Sequence, residues 1–508
     1  MRVLLDTNII IYREANTPPR PEIGVLFGWM DRLHHDKCIH PATIEEIRRH
    51  GDVRVVKAFE AKITNYHELK TIAPDNDDIR SIRSRYDRNP NDHTDSSILN
   101  EVFCDRVDAL ITEDRKIHQK ASELGIPERV FTIDAFLEKV TAENPDLADY
   151  KVLSVKKEYF GNIDIDDNFF HSFREDYREF NRWFNKKSDE IAYICKSDQD
   201  EIVAFLYVKT DAEDENYSDV VPILNPARRL KIGTMKVISN GFKLGERFLK
   251  IIFDNALLQS IEEVYVTLFN NSLEQNRLCA LLEDWGFYRH GIKRTINGEE
   301  IVLVRNFRPY ANTENPCISY PYLSYNSRKF IVPIYPAYHT ELFPDSILRT
   351  ESPLNFVENR PNRNAISKVY ISRSYERCLK PGDIIVFYRT AFKGPAFYTS
   401  VTTTIGVVQN IKTNIRSESQ FIELCRKRSV FTDDELREHW NYYRNNRPFI
   451  VNFLYVYTFP KRMNLQALIN AGVISSTDSV PRGFEQITDE QFNKILEGSN
   501  ADKRLIIY

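Results

Sequence analysis

Four acidic residues in the first 114 positions stand where a carboxylate can do chemistry. Asp6 closes the apolar run MRVLLD, and Asp114 follows a second apolar run in DALITED. Between them lie Glu46 in PATIEEIRRH and Asp95 in NDHTDSSILNEV. A carboxylate just past a buried strand is held rigidly at a sheet edge, where several can converge on one divalent cation. Mg²⁺ and Mn²⁺ take oxygen ligands and keep positions open for water and phosphate. Clustered carboxylates raise one another's pKa unless a cation neutralises them. One or two such ions would activate a water and stabilise an in-line displacement at phosphorus. The pattern predicts a metal-dependent phosphodiester nuclease. The competing account makes these acids helix caps and loop residues, a common use of aspartate.

The surrounding elements must hold those acids in place. RVLLDTNIIIY, KCIHPA, ELKTIAP, ALITED and RVFTID read as strands or strand ends. PEIGVLFGWMDRLHH, TIEEIRRHGDVRVVKAFEAKI, DSSILNEVF and RKIHQKASELG read as helices. That alternation implies a parallel sheet wrapped by helices. A polar, Pro-containing break after DAFLEKVTAENPDLADY sets a boundary near residue 150.

The whole chain has 508 residues, too many for one core, and its 42% hydrophobic and 28% charged content is that of an ordinary folded soluble protein; with the alternation of elements the expected class is α/β multi-domain. A net charge of −4 excludes a globally basic nucleic-acid binder. Seven scattered cysteines without a CxxC pair argue against a disulfide scaffold or a zinc knuckle. The first residues lack a signal-peptide pattern and no run is long enough to span a bilayer, so the expectation is a cytoplasmic protein without a membrane partner.

The four acidic motifs, in their order, spacing and strand context, resemble the PIN-domain ribonuclease family over residues 1–140. The resemblance implies that Asp6, Glu46, Asp95 and Asp114 are the metal carboxylates. Glu46 is preferred to Glu45 because it precedes Ile47 as the family's glutamate precedes an apolar residue. Thr112 and Asn8 match small polar positions that orient a carboxylate or the substrate. Asp92, one helical turn before Asp95, shares its face and would assist. The expected nuclease domain is 1–148.

Residues 151–310 change character. IAYICKSD and EIVAFLYVKTD read as a strand pair, FFHSFREDYREFNRWFNKK carries aromatics at helical spacing, and RRLKIGTMKVIS runs into GFKLGERFLKIIFDNALLQS, a strand followed by an amphipathic helix. With EEVYVTLF and EQNRLCALLEDWGFYRHG, this segment is similar to the GNAT acyltransferase family. That likeness implies acetyl-CoA as a cofactor, its pyrophosphate held by the turn through Gly241, Lys243, Leu244 and Gly245 at a helix N-terminus. Asn240 and Lys243 depart from the family pattern, and Leu282 occupies the usual position of a tyrosine acid, with Tyr288 nearby. A Pro-, Asn- and Tyr-rich stretch, NFRPYANTENPCISYPYLSYNS, reads as a linker.

Residues 326–508 are strand-rich. Lys380-Pro381-Gly382-Asp383 before an apolar strand, and the returning Thr404-Ile405-Gly406-Val407-Val408, look like the PUA-like superfamily that includes ASCH and EVE domains. The expected fold is a compact, mainly-β barrel. Arg360, Arg363, Lys368, Arg373, Arg377, Arg389 and Lys393 interleave with Tyr370, Tyr375, Phe387, Tyr388 and Phe392. Cations that follow a phosphate chain and aromatics that stack bases suit single-stranded RNA. The run Arg426-Lys427-Arg428 reads as solvated.

Together these readings predict an endoribonuclease acting on tRNA, mRNA or rRNA. A third domain would supply RNA affinity, and a second would bind acetyl-CoA. By family resemblance, an inhibitor or antitoxin protein and a homo-oligomer are the further partners. The rival is a GNAT-type N-acetyltransferase acting on tRNA or protein, with the PIN-like part as scaffold.

Overall fold

The computed structural model describes residues 1–14, 21–143, 155–197, 199–238, 243–346, 361–391 and 396–508. Its first sheet holds β1 (Arg2–Leu5), β2 (Asp36–Ile39), β3 (His67–Glu68), β4 (Ala109–Ile111) and β5 (Val130–Phe131), ordered β3-β2-β1-β4-β5. Every pairing is parallel, as the alternating pattern predicts. Buried on both faces, its central strands are short continuous apolar runs.

RVLLDTNIIIY is not one strand. β1 ends at Leu5, and Thr7–Glu14 is a helix that buries Ile9 and Ile10. A continuous apolar run fits either element, so the switch at Asp6 is invisible to periodicity. The long helix expected over TIEEIRRHGDVRVVKAFEAKI is two helices, Pro41–Arg48 and Val53–Lys62. Asp52 starts the second by accepting the Arg54 amide at 2.9 Å. A helix at Asp77–Tyr86 joins those the sequence pattern shows.

The second sheet has eight strands: β6 (Val155–Tyr159), β7 (Ile191–Lys196), β8 (Ile202–Asp211), β9 (Val220–Val221), β10 (Arg229–Val237), β11 (Glu263–Leu268), β12 (Tyr288–Thr295) and β13 (Gly298–Asn306). They are ordered β6-β7-β8-β10-β11-β13-β12-β9. β10 and β11 run parallel; the other neighbours are antiparallel. The β8–β10 register slips between Ile232 and Thr234. Gly233 sits at the slip, where a Cβ would stand 2.6 Å from the Tyr207 ring. β10 leads to the helix Leu244–Leu258, whose Leu244, Phe248, Leu249, Ile252, Phe253 and Ala256 form its buried face. The aromatic stretch at 169–184 is not one helix. It breaks into Asn168–Phe170, His171–Asp176 and Phe180–Asn185, and Phe169, Phe170, Phe180 and Phe184 fill a core with Phe160 and Phe205.

The third sheet holds β15 (Lys329–Ile334), β16 (Ser367–Ser372), β17 (Ile384–Arg389), β18 (Val401–Lys412), β19 (Phe449–Thr458) and β20 (Glu485–Ile487), ordered β16-β19-β18-β17-β15-β20. Its edges, β16 and β20, do not pair among the described residues, so the expected barrel is an open sheet. β14 (Leu323–Ser324) pairs in parallel with β21 (Ile506–Ile507).

The expected linker is a packed seam. Tyr320 and Tyr322 are buried, with their hydroxyls donating to the carbonyls of Tyr455 at 2.8 Å and Phe307 at 2.9 Å. Arg305 donates to the Tyr320 carbonyl. A tyrosine provides apolar area and one satisfiable polar tip, which suits it to such a seam. One apolar core then runs from Leu206 and Phe248 through Tyr320 to Leu454, Phe492 and Ile506.

The helix Leu244–Leu258 is gripped near both ends. Glu246 accepts the amides of Ile366 at 3.0 Å and Ser367 at 3.1 Å, and Arg428 at 3.0 Å. Arg504 donates to the Leu257 carbonyl at 3.3 Å. Arg428 therefore belongs to an internal ion pair and not to a solvated run.

The basic and aromatic set expected to meet RNA is also largely internal. Arg363, Lys368, Arg389, Phe387 and Tyr388 are buried, and burial pushes Lys368 down to about 7. Arg373 donates to the carbonyls of His439 and Asn446, and Arg377 to that of Arg447. Arg360, Phe392 and Lys393 lie outside the described residues. β-strand alternation predicts an exposed face, but here long cationic side chains satisfy backbone carbonyls inside the domain. No described helix is long and apolar enough to cross a membrane.

Candidate functional site

Asp6 occupies the junction where β1 gives way to the following helix. Its amide donates to the Ile111 carbonyl at 3.1 Å, the last bond tying it to β4. The carboxylate accepts the Thr7 amide on one oxygen at 2.7 Å. Its other oxygen accepts Asn8 Nδ2 at 2.8 Å and Thr112 Oγ1 at 2.6 Å. Thr112 also accepts the Asp114 amide at 3.0 Å, so one hydroxyl ties two of the predicted acids together. Burial raises the Asp6 pKa to about 6; the Thr112 and Thr7 hydrogen bonds oppose that rise, while Glu46 and Asp114 add to it.

Asp95 lies on the helix Pro90–Phe103. Its pKa rises to about 7, through burial first and then the charges of Asp6 and Asp114. Asp114 caps the helix Arg115–Glu123 by accepting the Lys116 amide at 2.6 Å. Glu46 accepts Thr7 Oγ1 at 2.7 Å, whereas Glu45 points to Arg49. The backbone thus turns Asp6, Glu46, Asp95 and Asp114 toward one region, where they sense one another's charge.

Asp92 is engaged differently. It accepts Lys116 Nζ and the Arg88 amide, each at 2.8 Å, and Lys116 holds its pKa down. Lys120 is fully buried between Asp87, Ser96 and the Asp92 carbonyl. Thr7, Lys116 and Lys120 were not singled out from the sequence. Thr7 alone had a signal there, as the hydroxyl directly after Asp6.

Among the described residues, no three His, Cys, Asp or Glu side chains are grouped closely enough to hold a metal by themselves. The four acids couple through space while several keep protein hydrogen bonds. Their all-oxygen donor chemistry nevertheless fits a hard divalent ion, and Mg²⁺ ordinarily keeps several waters and takes one or two carboxylates directly.

The predicted pyrophosphate turn is only partly visible. Gly241 lies outside the described residues. Lys243 adopts a left-handed conformation, φ 58°, at the helix start, and pairs with Glu246 at 3.5 Å. Leu244 points into the core, and a Cβ on Gly245 would stand 2.8 Å from Leu281 Cδ2. The Leu244 side chain and the absence of one at Gly245 therefore serve packing. Leu282 is core, while Tyr288 is half exposed on β12. A cavity of about 520 Å³ opens along β8, β10 and β11 beside the aromatic helices.

No family model matches the chain, and no curated protein matches it. Solved structures do, three of them over about 30% of this chain. An aminoglycoside 6'-acetyltransferase type Ii is 15% identical, covers 31% of this chain and 98% of its own, and has a TM-score of 0.23. The NatC complex bound to Gag peptide and CoA gives 17% identity, 30% and 98% coverage and a TM-score of 0.21. Arabidopsis thaliana Naa50 in complex with a bisubstrate analogue gives 15% identity, 30% and 100% coverage and a TM-score of 0.22.

Proposed function

We propose that the carboxylates at the carboxyl end of the parallel sheet form a divalent-metal-dependent endoribonuclease centre. The observation that supports this reading is the mutual charge coupling of Asp6, Asp95, Asp114 and Glu46. Burial first, and then the neighbouring carboxylates, make Asp6 and Asp95 hold protons toward neutrality, which suits a site built for positive charge. Asp6, Glu46, Asp95 and Asp114 would hold Mg²⁺ or Mn²⁺. Such an ion supplies a more acidic water and charge stabilisation at phosphorus. Thr112 and Asn8 fix one oxygen of the Asp6 carboxylate and the Thr7 amide the other, while the Thr7 hydroxyl fixes Glu46. Asp95 carries no described side-chain hydrogen bond, so it is the carboxyl best placed to take a proton from an attacking water. Total RNA or tRNA incubated with the protein and Mn²⁺ should be cut, excess EDTA should stop cutting, and excess Mn²⁺ should restore it. Intact RNA under all three conditions would defeat the assignment.

A second reading, acetyl-CoA binding and acyl transfer by the middle domain, is favoured by the path of β10 into the helix Leu244–Leu258 and by the cavity beside the parallel β10–β11 pair. Calorimetric titration with acetyl-CoA should release or absorb heat with a one-to-one endpoint. A flat titration at millimolar ligand removes this reading without touching the nuclease.

A further inference from the structure

The middle-domain cavity has seven charged lining residues, and six are already matched. Lys187 donates to Glu190 and to the Tyr207 hydroxyl, each at 2.8 Å. Lys209 pairs with Asp211 at 3.2 Å and Lys293 with Asp219 at 2.9 Å. Glu300 accepts the Tyr177 hydroxyl at 2.7 Å, Asp176 accepts Gln275 at 2.9 Å, and Glu179 lies 3.6 Å from Arg182. Lys231 is the seventh. Among the described residues its ammonium has no hydrogen bond or ion pair; its ring contact is with Tyr265, 5.6 Å from the centroid.

An ammonium in a half-enclosed cavity without a hydrogen-bond acceptor loses hydration that no direct contact returns. Burial first, and then the neighbouring Lys293, push the Lys231 pKa down, and the charges of Asp211 and Glu300 offset only part of that. The aromatic helices close the other side, where Phe173 and Phe180 stack at 5.4 Å and Trp183 lines the wall. A cavity of a few hundred cubic ångströms with an aromatic wall and one unmatched charge has the size and the anchoring group of a small-molecule site.

We infer that this cavity binds a small carboxylate with an aromatic or aliphatic body, the carboxylate accepting from Lys231 and the body lying against Phe173, Phe180 and Trp183. A carboxylate supplies the acceptor that the fold withholds from Lys231, and a planar or branched apolar group fits the aromatic wall. The inference rests on the cavity and Lys231, not on acyl transfer, so failure of acetyl-CoA binding leaves it standing.

The full chain is titrated with phenylacetate, phenylacetamide and phenethylamine, followed by calorimetry and by tryptophan fluorescence. Phenylacetate should bind about tenfold or more tightly than the amide, the amine weakest, as expected for a charge-assisted bond. K231M should remove that preference while K231R keeps it. Equal affinity for acid and amide, tighter binding of the amine, an unaltered preference in K231M, or no binding by any probe at millimolar concentration would overturn the proposal. The wild-type probe series decides the matter even if K231M fails to fold.

Discussion

Protein carrying Asp95→Asn should cut RNA at least about 100-fold more slowly than wild type, the loss typical of removing a positioned proton acceptor. The same substitution should change stability in a way that a merely structural residue would not. In the fold, burial and the charges of Asp6 and Asp114 raise the Asp95 pKa to about 7 from the ordinary 3.8. Between those values the folded state binds more protons than the unfolded one. The stabilisation from the neutral carboxyl is therefore complete below about pH 4 and is lost as pH rises through 7. Metal-free wild type should melt several degrees lower at pH 8 than at pH 5, and Mn²⁺ at pH 8 should recover the difference. The Asn variant, unable to ionise, should show a flatter profile and a weaker Mn²⁺ response. A residual slope is expected from Asp6, which titrates at about 6 for the same reason. Calorimetric melting with and without Mn²⁺ measures both effects. Wild-type stability that rises with pH, together with undiminished cleavage by the variant, would remove Asp95 from the centre.

The second large effect is on folding. Glu246 is buried and accepts two backbone amides and the Arg428 guanidinium. Glu246→Ala leaves two amides without their acceptor and the largely buried Arg428 without its counter-charge, holding only the Ser367 carbonyl. Removing one partner of a buried pair costs about 3–5 kcal/mol. Glu246→Gln keeps a neutral acceptor and should cost less. Urea unfolding of both variants checks the order. A loss below about 1 kcal/mol for the alanine variant would show that the helix start is not held by this contact.

What could be read from the sequence follows from how local each cause is. The place of Asp6 was legible because a buried strand ends in one apolar run, and the β7–β8 hairpin because two strands flank a polar turn. The helix Thr7–Glu14 was not, since NIIIY satisfies strand and helix equally. Thr7 was overlooked because its hydroxyl acts on Glu46, 39 residues away. Residues 363–389 misled for a different reason. Alternating cations and aromatics look like a wet face, yet Lys368 donates to the Asn362 carbonyl inside the domain. The Arg428–Glu246 contact spans 182 positions, far outside any periodic signal. Lys231 stands in a plain β-strand run, and only the pairing of its six charged neighbours sets it apart.

The grip on the helix Leu244–Leu258 has a consequence for biosynthesis. Leu257 meets Arg504 across 247 positions, and Leu505 and Ile506 enter the same core as Phe248. At roughly 5–20 residues per second, a ribosome needs about 10–50 s to travel that distance. For that interval the apolar face of the middle domain has emerged without its covering. Such a high contact order makes vectorial folding wait for the distal chain, and it gives holdase chaperones a defined window on the nascent polypeptide. It also ties the two halves together in evolution, because neither can be exchanged without re-covering the other.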